Sequence, residues 1–179
     1  MVEIQTVALE LFLVDGFAKV TMNAIAGAAG VGVATVYRYF GTKEDLVILD
    51  ENEDLVVDAI MANLTELPAV AAVRTALVEL APVHETITSL ELVRLACNEP
   101  AIVHATSLSD RQATNELASA FREHDPSMTL IMASAVARAC FGAVETAFDH
   151  WQAGNASTSL ATIIEETFDA IGAHWPRIS

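Results

Sequence analysis

The sequence predicts an all-α protein: a small N-terminal unit of three helices, then a larger domain of longer helices. Three observations predict it. Apolar residues recur at helical spacing from Ile4 onward, no segment sustains strand alternation, and Pro and Gly punctuate the chain at helical intervals. The segment Thr21 to Lys43, TMNAIAGAAGVGVATVYRYFGTK, carries the local chemistry of two short helices joined by a tight turn.

The first helix follows from Ile4, Val7, Ala8, Leu11 and Phe12, spaced i, i+3, i+4, i+7 and i+8, and Asp15-Gly16 stops it. Thr21 is placed to cap the second helix, because its hydroxyl can accept a backbone N–H that has no helical partner. Ile25, Ala26 and Ala29 give that helix an apolar face, and Gly30 can take the positive φ of the turn. A third helix of about two turns ends at Tyr37-Arg38-Tyr39-Phe40. Phe12, Phe17, Ile25, Val36 and Phe40 are the expected core of this unit. Thr42, with Asp45 three residues on, starts a fourth helix expected to run to about Asn63. Its acids Asp50, Glu51, Glu53 and Asp54 read as a solvated face. Beyond Pro68, helices are expected at roughly 69–80, 84–97, 100–123, 127–153 and 158–175, with breaks at Pro82, Pro100, Pro126 and Gly154-Asn155.

Bulk properties narrow the class. The chain has 179 residues, is 53% hydrophobic and has a mean hydropathy of +0.42. That much apolar surface implies burial against a second chain, a ligand, or both. Arg138 and Glu145 interrupt the apolar run from Met128 well short of the ~20 residues needed to cross a bilayer. No basic-then-apolar signal segment follows Met1. Cys97 and Cys140 allow one disulfide by count, but their apolar helical setting favours reduced thiols in a cytoplasmic chain. No catalytic motif is present, the five histidines are never three or four apart, and neither a metal site nor a cofactor is expected. The net charge of −15 opposes nonspecific DNA affinity. Within residues 1–50, Lys19, Arg38 and Lys43 face Glu3, Glu10, Asp15, Glu44, Asp45 and Asp50, a net −3. Met1-Val2-Glu3 leads straight into the first helix, with no Arg or Lys before Lys19.

The chain resembles the TetR family of bacterial transcriptional regulators at Ala8-Leu9-Glu10-Leu11-Phe12, Gly16-Phe17, Thr21, Ile25-Ala26, Ala29-Gly30-Val31, Thr35-Val36-Tyr37-Arg38-Tyr39-Phe40 and Lys43. The resemblance covers residues 4 to about 46, near a quarter of the chain. It implies a helix-turn-helix whose second helix enters the DNA major groove. It places Thr21, Thr35, Tyr37, Tyr39 and Lys43 against phosphates and Asn23, Val33, Ala34 and Arg38 against base edges. Tyr39 stands where many members have His.

By the same resemblance, residues 1 to about 45 would read DNA and 46–179 would bind a small effector and dimerise. Candidate pocket residues are Met61, Leu95, Cys97, Phe121, Met132, Val136 and Phe141, with Arg94 and Asn98 as a polar anchor. The low charge of these helices favours an apolar or amphipathic effector. A homodimer interface is expected on the last two helices, at Phe148, Trp151, Ile164, Phe168, Ile171 and Trp175. The stripe they form is equally explained by an intrachain core. The functional expectation is a repressor of a double-stranded DNA operator, released by its effector, and not an enzyme or a membrane protein. The alternative is a dimeric ligand-binding or interaction module with weak or lost DNA binding, which the acidic head favours.

Overall fold

The computed structural model describes residues 2–48, 53–87 and 90–172. Every regular element among them is a helix: α1 (Val2–Asp15), α2 (Met22–Ala28), α3 (Val33–Tyr39), α4 (Asp45–Ile48), α5 (Glu53–Leu64), α6 (Ala69–Ile87), α7 (Leu90–Asn98), α8 (Pro100–His124), α9 (Leu130–Ala153) and α10 (Leu160–Gly172). The chain divides into two compact units, Met1–Glu51 with Glu91–Thr106, and Asn52–Leu90 with Ser107–Ser179.

In the first unit each helix end has a local cause. Gly16 ends α1 at φ +88, with its N–H on Phe12 O at 3.0 Å. Thr21 caps α2, its Oγ1 accepting from Ala24 N at 3.2 Å. α2 closes with Gly30 at φ +67, while Val31 N bonds to Ala26 O at 2.9 Å and Gly30 N to Gly27 O at 3.3 Å. That pair of bonds around a left-handed glycine satisfies the last carbonyls of the helix. Thr42 and Asp45 cap each other before α4: Thr42 N donates to Asp45 Oδ2 at 2.8 Å and Asp45 N to Thr42 Oγ1 at 3.2 Å. The expected core residues Phe12, Phe17, Ile25, Val36 and Phe40 are all buried, together with Ile4, Ala8, Val20, Met22, Ala26 and Leu46. Phe12 and Phe17 pack with ring centroids 4.9 Å apart at 56°. Ile102, from the start of α8, completes this core, with Leu95 and Ala96 of α7 packed against it.

In the second unit α6 packs on α5, α9 and α10, and α9 packs on α10. Small residues line the buried side of α9, at Ala133, Ala137, Cys140, Ala143 and Ala147, so neighbouring helices can come close. Thr129 caps α9, its Oγ1 accepting from Met132 N at 3.2 Å. Ser159 Oγ caps the start of α10 by accepting from Thr162 N, and the Glu85 carboxylate accepts from Leu160 N across from α6. Arg74 of α6 pairs with Glu165 and Asp169 of α10 at 3.5 and 3.4 Å.

Three expectations change. Pro82 does not break a helix: α6 runs through it to Ile87, held by packing on three neighbours. The helix expected at 84–97 is instead divided between the end of α6 and α7. Trp151, Ile164 and Phe168, expected at a dimer interface, are 4%, 2% and 1% exposed within the single chain. Their surface already packs in the intrachain core, so a second chain has almost none of it left to cover. Phe148 and Ile171 keep partial exposure, and Trp175 lies outside the described residues, as do Asp50 and Glu51. The fourth helix expected from Thr42 to about Asn63 is helical at 45–48 and 53–64, with 49–52 outside the described residues. By length and composition α9 could cross a membrane, but it carries Arg138, Glu145 and Asp149.

Candidate nucleic-acid interface

α3 is turned so that its Val36 side enters the core, where Val36 and Phe40 are fully buried. At about 3.6 residues per turn, Ala34 and Arg38 then lie on the side opposite Val36, facing solvent. Val33 and Tyr37 form one flank of that outward face and Thr35 and Tyr39 the other. Tyr37 and Tyr39 are 54% and 43% exposed, well beyond what a packing helix leaves open. The outer face thus offers an arginine between two flanks bearing hydroxyls. Asn23 and Thr21 are exposed at the start of α2. Although the Thr21 hydroxyl accepts from Ala24 N, its own hydrogen remains available to donate.

Two cations behave differently. Arg38 lies against Tyr39, its guanidinium carbon 4.8 Å from the ring centroid and Nη2 donating to the Tyr39 hydroxyl at 3.2 Å. Lys43 turns back onto its own unit. Its ammonium donates to Phe17 O at 2.6 Å and Val20 O at 3.1 Å, and sits 4.2 Å from the Phe17 ring centroid. It thereby ties the start of the fourth-helix segment to the turn before α2, and one N–H of the three remains. That clasp joins residues more than 20 apart in sequence and has no local signal. The same holds for Ile102, which joins the head core from over 50 residues beyond Leu46.

The expected effector residues separate by unit. Arg94, Leu95, Cys97 and Asn98 belong to the first, and Asn98 Nδ2 donates to Arg94 O at 2.8 Å. Met61, Phe121, Met132, Val136 and Phe141 belong to the second, where Phe121 and Val136 are buried and Met61 is 44% exposed. Two open concavities of the second unit hold none of them. One, about 450 Å³, lies between α5 and α6 at Ala59, Asn63, Glu66 and Glu79; the other, about 440 Å³, lies along α8 at Gln112, Asn115, Glu116 and Glu123. Both are rimmed by acids. Of the two thiols, Cys140 is buried, and burial pushes it from an ordinary 9.0 up to about 12.

Residues 4–48 match the family described as bacterial regulatory proteins, tetR family, and residues 67–176 match the MftR C-terminal domain. Across 182 aligned positions the chain is 28% identical to a protein of Mycobacterium tuberculosis named as a candidate mycofactocin biosynthesis transcriptional regulator, MftR; the match covers 98% of this chain and 91% of that one. The fold is that of Thermus thermophilus FadR, a TetR-family transcriptional repressor solved in complex with lauroyl-CoA (TM-score 0.59, 19% identity, 99% and 96% of the two chains). It is likewise that of Bacillus subtilis FadR, a transcriptional regulator solved with stearoyl-CoA (TM-score 0.62, 16% identity, 95% and 96%). A helix-turn-helix whose outer face stays open, matched together with the domain that follows it, places this chain in the TetR family of bacterial transcriptional regulators, whose members are not enzymes.

Proposed function

We propose that the protein is a homodimeric repressor that binds a DNA operator through α3 and leaves it when an amphipathic effector binds. The observation that carries this is the outward face of α3, with Arg38 between flanks ending in Tyr37 and Tyr39. Arg38 would read a guanine edge, Val33 and Ala34 would meet thymine methyl groups, and Asn23 would reach a neighbouring base. Thr21, Thr35, Tyr37, Tyr39 and the remaining N–H of Lys43 would hold phosphates. Residues 1 to about 45 read DNA; residues 46–179 dimerise and bind effector. Such a regulator works in the cytoplasm, where its operator is.

An acyl-CoA is the effector class this reading favours, because the two FadR proteins of the same fold were solved with acyl-CoAs. A thioester with a long apolar tail also suits helices as apolar as α9. The effector releases the operator only if it binds the released state more tightly.

The test is selection of bound fragments from random double-stranded DNA by the purified chain, followed by titration with lauroyl-CoA. A palindromic operator released by lauroyl-CoA but not by CoA alone is expected. With Lys19, Arg38 and Lys43 as the Lys and Arg side chains of residues 1–45 and about −0.9 in log K per log salt for each phosphate neutralised, the salt dependence should be shallow. Recovery of no sequence favours the second reading, an interaction module without DNA function, to which the net charge of −15 points. A steep salt slope would place the main DNA surface elsewhere.

A further inference from the structure

We infer that Tyr39 is a positioning residue for Arg38, setting how sharply the protein distinguishes one base. This rests on the DNA-reading role proposed above. Adjacent residues on a helix point about 100° apart and do not ordinarily meet. Arg38 nevertheless leans from the outward face of α3 onto the Tyr39 flank, with its guanidinium 4.8 Å from the ring centroid and Nη2 on the hydroxyl at 3.2 Å. This is possible at the last turn, where Tyr39 ends the helix and Phe40 leaves it in extended conformation (φ −130, ψ 109).

The chemistry permits both contacts together. A guanidinium has five N–H donors, and one is given to Tyr39, so a guanine O6/N7 pair can still take two. The Tyr39 oxygen accepts from Arg38 and retains its own hydrogen, which a phosphate oxygen can accept. One hydroxyl would then join the group that fixes register to the group that reads the base. A long exposed arginine loses rotamer freedom when it docks on a base. Holding it on the tyrosine ring before DNA arrives reduces that loss.

The test measures affinity for the selected operator and for versions altered at each base pair, using wild type, Arg38→Ala, Tyr39→Phe, Tyr39→Leu and the double variant Arg38→Ala/Tyr39→Phe. Arg38→Ala should flatten preference at one base pair of each half-site. Tyr39→Phe should keep the preferred base there but lower discrimination about 2- to 10-fold, the range of one hydrogen bond. Tyr39→Leu, which also loses the ring, should lower it further. In the Arg38→Ala background, Tyr39→Phe should leave discrimination unchanged. Equal weakening by Tyr39→Phe on every sequence, with discrimination intact, overturns the inference and leaves Tyr39 a phosphate contact alone. Unchanged preference in Arg38→Ala overturns it too. Failure of the wild type to select any operator instead overturns the DNA-reading proposal, and this inference with it.

Discussion

At the scale of single residues, Lys43 makes the most consequential contact in the head. Its ammonium is held by two backbone carbonyls and the face of Phe17, in a partly buried position. Hydrogen bonds from charged groups contribute about 1.5–3 kcal/mol, and leaving two carbonyls without a donor adds to the loss. Lys43→Met should therefore lower the stability of the N-terminal unit by about 1–3 kcal/mol, read as a lower urea midpoint, as well as weakening operator binding on all sequences. Unchanged stability with weakened binding would assign Lys43 to phosphate alone. Cys140 gives a prediction in pH. Its folded thiol is raised from 9.0 to about 12, so the unfolded chain ionises first as pH rises. The stabilisation is complete below pH 9 and is lost as pH climbs from about 9 toward 12. Wild type should accordingly lose more stability than Cys140→Ala between pH 9 and 11, at up to about 1.4 kcal/mol per pH unit. Parallel curves for the two proteins would contradict this.

At the scale of elements, caps should matter more than ion pairs. Thr129 satisfies an N–H at the start of a 24-residue helix, and removing such a cap costs about 1 kcal/mol. Arg74, Glu165 and Asp169 are all more than a third exposed, so solvent screens their pairing. In denaturant unfolding Thr129→Ala should cost about 1 kcal/mol, and Asp169→Asn well below that. The reverse order would mean that the α6–α10 pairs act as a network. α8 holds an opposite case. Burial first, then the charge of Glu145 on α9, raise the Asp110 carboxyl above its ordinary 3.8. A raised carboxyl favours the folded chain below its unfolded value and loses that benefit as pH rises through its folded value. Asp110→Asn should hence stabilise the protein at pH 7, with the gain shrinking as pH falls toward 4. A gain independent of pH would show that the charge is not the cause.

For the whole molecule, the central question is what covers the rest of α9. Its inner side packs on α6 and α10, yet Leu130 and Ile131 are 61% and 82% exposed, and Phe141, Val144 and Phe148 are only partly covered. A second copy burying that face would account for the excess of apolar residues, and large apolar interfaces commonly leave no stable monomer. Sedimentation at micromolar concentration should give a dimer, and Phe148→Lys should shift it toward monomer. A wild type that sediments only as monomer would remove the dimer from the proposed mechanism.

What the sequence determined by itself is what neighbouring residues decide. Thr21, Gly30 and the Thr42–Asp45 pair act over three or four residues, so the caps and the turn of the helix-turn-helix were legible and stand in the structure. The periodicity of Phe12, Ile25, Val36 and Phe40 likewise named the head core, because helical spacing alone fixes which side chains share a face. Tertiary structure decided which surface each face meets. The stripe through Ile164 and Phe168 showed that a face is buried but could not show that its own chain buries it. Pro82 reads as a break locally, and packing of α6 on three helices overrides it. Lys43 on the Phe17 and Val20 carbonyls and Ile102 in the head core join residues 23 and more apart, contacts that exist only once the chain has closed on itself. Local hydrogen bonding and periodicity are written in short windows of sequence; the partner of an apolar face is set by the free energy of the whole packing, in which distant segments compete for the same surface.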